Sequence, residues 1–262
     1  MSGLFDLSEK IVVITGGNGY LGRAMCEGLA QNAATLIIAS RNEGECKALA
    51  DRLSKQYQIE AVGIGVDILD ADSIRCLFQS TAERYGKIDV LVNNAFVPVQ
   101  GFLENITDEV WENGLDGTGS AVFKCIREVL PYMLERKSGK IINIASMYGV
   151  VAPDPATYDN DVRLNNPICY GAGKAAIIQL TRYIASYYGK YGITSNCISP
   201  GSFPHPKTQE NVGFIEKLKD KTVLGRIGYP EDMKGIAVFL ASDASNYITG
   251  QNICVDGGVT AR

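Results

Sequence analysis

Two residues in the stretch ICYGAGKAAIIQLTRYIASYYGKY, which runs from Ile168 to Tyr191, have the types and spacing to move a proton. Tyr170 and Lys174 stand four positions apart, which places both side chains on one face of a helix. A free phenol titrates at about pH 10, and a neighbouring ammonium favours the phenolate and lowers that value. Such a pair is an acid–base device. Small residues surround it: Gly171, Ala172, Gly173, Ala175 and Ala176. Two glycines in a first turn cost roughly 1 kcal/mol each against alanine, so the backbone there is expected to meet something closely. A surface tyrosine beside a solvated lysine has the same spacing, and the rest of the chain decides between the two.

The chain has 262 residues, 46% of them apolar, enough for a sizeable core in one large domain. A net charge of −4 gives no basic surface for nucleic acid. No apolar run is long enough to span a membrane, and MSGLFDLSEK lacks the pattern of a secretory signal, so a cytoplasmic location is expected. The seven cysteines are scattered and read as reduced thiols. With His205 as the single histidine, neither a histidine triad nor a metal site is indicated.

Short apolar runs alternate with helical segments. Strands are expected at 10–15, 35–39, 61–66, 88–92, 140–145, 194–198 and 252–255. Helices are expected at 20–31, 43–57, 72–85, 111–136, 168–191 and 230–242. The stretch 148–167 reads as irregular, and 202–224 as a polar lid. The alternation predicts an α/β fold with a parallel sheet and helices on both faces, as one domain over 1–262.

The first strand runs into Gly16-Gly17-Asn18-Gly19-Tyr20-Leu21-Gly22 and then the first helix. Glycines let a backbone approach phosphate closely, and a helix N-terminus offers N–H donors and the positive end of a dipole. The pattern Gly17-x-Gly19-x-x-Gly22 in that setting predicts a dinucleotide pyrophosphate site; the plain alternative is a tight turn. The second strand ends at Ser40 and Arg41, with no carboxylate before Glu43. An acid there would serve the ribose of NAD. An arginine suits a 2′-phosphate, which favours NADP over NAD.

These residues together resemble the short-chain dehydrogenase/reductase family of the single-domain type. The matching stretches are Thr15 to Gly22, Asn93-Asn94-Ala95, Asn143 to Ser146, Tyr170-x-x-x-Lys174, Pro200-Gly201 and Val255 to Gly258. They cover nearly the whole length, in the family's order. The resemblance implies a Rossmann-type doubly wound parallel sheet flanked by helices. It also implies that Tyr170 is the general acid/base, that Lys174 lowers its pKa and holds the nicotinamide ribose, and that Ser146 hydrogen-bonds the substrate oxygen. Asp67 and Ile68 would contact the adenine, and Asn93, Asn94 and Ala95 would lie on the cofactor-ribose side. Small residues along the Tyr170 helix and the apolar last strand resemble the family's contacts between copies, so a homo-oligomer is expected, a tetramer or dimer.

Three departures stand out. Tyr20 occupies the middle glycine of the family's TGxxxGxG turn, and Gly19 gives TGxxGxxG instead. Thr118, seven residues after Trp111, stands where the family has an asparagine supporting a water relay to the lysine; Asn113 lies too early to replace it. A modified relay through the threonine hydroxyl is the expectation. The interval from Ser146 to Tyr170 is longer than the family's, through an insert at about 150–167 rich in Asp154, Tyr158, Asp159, Asn160, Asp161, Arg163, Asn165 and Asn166. Tyr158 lies near the usual distance from Ser146, but Val162 stands where its lysine belongs. The polar insert resembles that of oxidoreductases from nonulosonic-acid and flagellin-glycan pathways. The chain's two ends resemble sugar-acid dehydrogenases such as gluconate 5-dehydrogenase.

The expected activity is interconversion of a secondary alcohol and a ketone with NADP or NAD, on a hydroxyl-rich small molecule: a sugar, sugar acid or nucleotide-linked sugar. A 3-oxoacyl-type or small-ketone reductase and a non-catalytic nucleotide-binding regulator are the alternatives. His205 reads as a solvent-facing loop residue near the lid. Arg163, Lys207, Lys217, Lys219 and Arg226 could steer an anion, with a solvated face as the plain alternative.

Overall fold

The computed structural model describes residues 3–158 and 166–261. Seven strands form the sheet: β1 (Ile11–Thr15), β2 (Thr35–Ser40), β3 (Ala61–Gly65), β4 (Val90–Asn93), β5 (Gly139–Ile144), β6 (Ile193–Pro200) and β7 (Asn252–Val255). Every ladder is parallel and the order is β3-β2-β1-β4-β5-β6-β7. The order reverses direction between β1 and β4, the switch point at which open α/β sheets place a ligand crevice. β1, β4 and β5 are buried at every position, as strands covered on both faces must be.

The helices are α1 (Tyr20–Gln31), α2 (Glu43–Tyr57), α3 (Ala71–Tyr85), α4 (Asp108–Leu115), α5 (Ala121–Arg136), α6 (Pro155–Tyr158), α7 (Ile168–Tyr188), α8 (Pro206–Gln209), α9 (Val212–Lys221) and α10 (Lys234–Ala241). Met25 and Leu29 of α1, Leu49 and Leu53 of α2, and Val238 and Leu240 of α10 pack on one face of the sheet. On the other lie Leu77 and Phe78 of α3, Val122 and Val129 of α5, and Ile177 and Ile178 of α7. The doubly wound sheet is thus as expected. Among the described residues no helix is long and apolar enough to cross a membrane.

Several boundaries differ from the sequence reading. The helix expected over 111–136 is two helices joined by a π-helical turn, Asp116–Ser120. Its sequence, DGTGS, brings two backbones together: a Cβ on Gly117 would lie 2.5 Å from Val97 Cβ, and one on Gly173 of α7 would lie 2.8 Å from Thr118 Cβ. Such single-turn widenings mark functional positions in many helices. The last helix opens with a 3-10 turn at Pro230–Met233, and α7 closes in one at Gly189–Tyr191. The stretch read as irregular holds a 3-10 turn, Met147–Gly149, and the short α6. Asp159, Asn160, Asp161, Arg163 and Asn165 of the insert lie outside the described residues.

Candidate active site

A cleft of about 590 Å³ opens at the carboxyl edge of the sheet, over the switch point. Its floor begins where β1 runs into the glycine turn. Gly16 holds φ +63°, open to glycine and strained for other residues. A Cβ on Gly22 would lie 2.1 Å from the Gly16 carbonyl oxygen, so the first turn of α1 can sit against the loop only without a side chain there. No side chain caps α1 and no acid lies in its first turn, which leaves its N–H groups facing the cleft. Asn94 Nδ2 donates to the carbonyls of Thr15 (3.1 Å) and Gly16 (2.8 Å), and Thr15 Oγ1 accepts from the Asn94 and Ala95 amides at 3.2 Å each. The end of β4 is thereby pinned to the turn.

Gly16, Asn18, Gly19, Tyr20, Leu21, Ser40, Arg41, Ile68, Asn94, Ala95, Ser146, Tyr170, Lys174, Pro200 and Gly201 all line this cleft. Gly22 acts from behind the turn. Asp67 and Thr118 do not line the cleft. Asp67 is exposed and accepts the Leu69 amide at 2.9 Å. Arg41 is exposed at the mouth, while Glu45 is engaged by Asn18 (3.0 Å), Arg23 (3.1 Å) and Asn42 (2.9 Å). Glu45 is thus held by other groups and Glu43 by Lys47 at 2.6 Å, and among the described residues Arg41 has no ion pair.

Sequence reasoning missed Asn42, Phe96, Val97 and Phe203 on the walls. Apolar residues after a strand carry no motif. His205 is solvent-facing as expected; it also borders the cleft, and its ring packs on Tyr20 at 5.1 Å between centroids. Gln209 adds a hydrogen bond to the Tyr20 hydroxyl at 3.3 Å. The tyrosine in place of the turn's middle glycine is therefore a contact for the segment 202–224.

At the catalytic end, Ser146 follows β5 and is 5% exposed, with its Oγ accepting the Tyr148 amide at 3.1 Å. Tyr170 sits in the first turn of α7, edge-on to Phe96 at 5.8 Å. Burial raises its phenol above the ordinary value, and a hydrogen bond with Ser146 opposes this. Lys174, 3% exposed, donates to the Ile144 carbonyl at 2.7 Å, and its Nζ lies 5.5 Å from the Tyr170 ring centroid. Burial pulls its ammonium down to about 8. No lowering of the Tyr170 pKa by Lys174 is seen here: desolvation of the phenol dominates, the opposing hydrogen bond comes from Ser146, and the ammonium is directed at a backbone carbonyl.

Thr118 is 1% exposed and its Oγ1 donates to the Gly114 carbonyl at 2.7 Å, within its own helix. Its proton is committed, and its lone pairs alone are left to hold a water. Tyr158 is buried, and its hydroxyl meets that of Tyr148. Its ring packs on Phe214 of α9 at 5.8 Å. Asp154 pairs with Lys221 at 2.5 Å, and Lys217 reaches the Ala156 carbonyl at 3.4 Å. The described part of the insert therefore supports α9 instead of presenting a bare polar loop. Two of the cations expected to steer substrate are paired: Arg226 with Asp232 in a two-point bridge (2.7 and 2.9 Å) and Lys219 with Glu216 at 2.7 Å.

Comparison with known proteins agrees with this geometry. A family profile described as enoyl-(acyl carrier protein) reductase matches residues 18–260. A 3-oxoacyl-[acyl-carrier-protein] reductase, FabG, of Thermotoga maritima is 32% identical, with 97% of this chain and 98% of the relative covered. Among solved structures, a gluconate 5-dehydrogenase from Burkholderia cenocepacia in complex with NADP and tartrate superposes with a TM-score of 0.90 at 30% identity, covering 99% of this chain and 98% of that one. An RhlG/NADP active-site complex from Pseudomonas aeruginosa gives 0.88 at 31% identity, covering 99% and 100%.

Proposed function

The chain belongs to the short-chain dehydrogenase/reductase family, oxidoreductases acting on CH–OH groups, and on that premise we propose that it interconverts a secondary alcohol and a ketone on a hydroxyl-bearing sugar or sugar acid with NADP. The convergence of Ser146, Tyr170 and Lys174 at one end of a cleft whose other end carries the glycine turn and Arg41 is the observation behind this reading. The NADP-bound neighbours support the coenzyme assignment.

The residues fit such a coenzyme: the uncapped α1 and its glycine turn would take the pyrophosphate, Arg41 the 2′-phosphate, and Lys174 the nicotinamide ribose. When bound, NADPH supplies the hydride and NADP accepts it. Ser146 Oγ, with the Tyr148 amide donating to it, turns its own O–H toward the substrate oxygen. In reduction, Tyr170 gives its proton to that oxygen as the hydride arrives at carbon. In oxidation, the phenolate takes the hydroxyl proton. Burial holds the phenol in its protonated form, the form that donates in reduction. Thr118 would hold a relay water only as an acceptor.

The Tyr148 and Tyr158 hydroxyls, which meet each other near Tyr170, favour a hydroxyl-rich substrate. A 3-oxoacyl reductase is the second reading, supported by the curated relatives and by the apolar walls Phe96, Val97 and Phe203. Relative kcat/KM for 5-ketogluconate and an acetoacetyl thioester decides: we expect the keto acid to be preferred at least about tenfold, as hydroxyl-reading sites discriminate strongly. Preference for the thioester establishes the second reading. The stacked Tyr183 and Tyr187 of α7 and Phe123 of α5, each about half exposed, support a homo-oligomer.

A further inference from the structure

A second cleft, of about 850 Å³, lies at the opposite, amino-terminal edge of the sheet. Lys140 of β5 lines it, whereas Ser146, just past the other end of that strand, lines the coenzyme cleft. Six residues of strand put the two roughly 20 Å apart. Lys140 is 8% exposed, and among the described residues its one hydrogen bond is to Ser245 Oγ at 3.2 Å. That hydroxyl spends its own proton on the carbonyls of Leu240 (3.0 Å) and Ser242 (3.1 Å). An ammonium carries three donors, so among the described residues two of them have no protein acceptor, on a side chain that lines the cleft. Buried donors are ordinarily matched, and an unmatched charged one points to a missing partner.

The charges around it do not balance. Lys10, Lys140, Asp89 and Asp243 line the cleft. Asp89 is taken by Lys87 at 3.1 Å and by the Ile11 amide at 2.8 Å. Asp243 pairs with Lys10 at 3.2 Å, and its field also reaches Lys140. Two ammoniums therefore share one carboxylate, leaving one positive charge over. Burial pulls Lys140 down to about 8, with Asp243 opposing the fall and Lys10 adding to it. The fully exposed ring of Tyr247 stands on the same cleft and offers an apolar surface beside the charge.

We propose that this cleft is a second ligand site, which takes a small organic anion of single charge, a carboxylate, on the Lys140 ammonium. The carboxylate fills the two open donors and cancels the surplus charge, and the apolar body of the ligand rests against Tyr247.

Benzoate is the probe and benzamide its neutral control, followed by ligand-observed NMR with the full chain. The substitutions lie at the edge of the sheet away from the coenzyme cleft, so differences between variants read this site alone. Wild type should bind benzoate saturably and benzamide at least about tenfold more weakly, as befits a charge-assisted contact. Lys140→Met should lose benzoate binding by about tenfold or more, and Lys140→Arg should keep it. Asp243→Asn should tighten it several-fold, because the surplus charge then rises to two. The last variant keeps the test informative if Lys140→Met is poorly folded. Equal binding of benzamide, unchanged binding in Lys140→Met, no gain in Asp243→Asn, or no saturable binding to wild type would each overturn the proposal.

Discussion

At the scale of single residues, the cleft is a set of groups moved from their solution behaviour by burial. Lys174 is the clearest. Its folded pKa of about 8 lies below the value of about 10.4 for an unfolded lysine, so the folded state pays to keep it charged. The unfolded chain holds the proton more tightly between those two values, and stability from this group therefore rises as pH climbs from 8 to 10.4. Lys174→Met is expected to raise the melting temperature at pH 7, where the desolvation cost is in full, and to lose that advantage near pH 10.5; thermal melts at the two pH values check this. A destabilised variant at pH 7 would mean that the bond to Ile144 outweighs desolvation. Arg41 is the opposite case, an exposed cation whose partner is the ligand. Arg41→Ala should weaken NADPH binding by about 10- to 100-fold and leave NADH almost unchanged, as read by parallel titrations. Equal losses for both coenzymes would remove the 2′-phosphate role.

At the scale of elements, the π turn at Asp116–Ser120 carries the chain's main departure from its family pattern. The turn is packed against α7 so closely that Gly173 has no room for a Cβ beside Thr118. Thr118→Asn is expected to leave ketone reduction unchanged or faster, because the amide adds a donor and an acceptor where the threonine offers lone pairs alone; steady-state assays check this. Total loss of turnover in a folded variant would give the threonine hydroxyl a role of its own.

The strands and the glycine turn were legible in the sequence because buried parallel strands are continuous apolar runs and the turn's glycines are fixed by close approach. The π turn was not, since GLDGTGSAVF keeps a helical rhythm and the widening comes from tertiary crowding by Val97 and α7. Tyr170 and Lys174 were legible from spacing, and the sign of the Tyr170 shift was not, because burial is a property of the folded cleft. The packing of His205 on Tyr20 was not legible for the same reason: nothing in its sequence neighbours predicts that ring.

At the scale of the whole molecule, one sheet carries two clefts at opposite edges, with Ser146, Tyr170 and Lys174 on the one at the carboxyl edge. The insert, through Tyr158 and Asp154, and the glycine turn, through Tyr20, both hold the segment 202–224. The insert and the glycine turn thus meet on one segment. The central claim is that Tyr170 transfers the proton in an NADP-linked hydride exchange. The direct measurement is NADPH consumption with 5-ketogluconate and a panel of other ketones, by wild type and Tyr170→Phe, with NADPH affinity measured for both. The account predicts turnover by wild type and a loss of at least about 10³-fold in the variant, with coenzyme affinity little changed. Tight NADPH binding by wild type with no turnover of any ketone, or a variant as active as wild type, would contradict it.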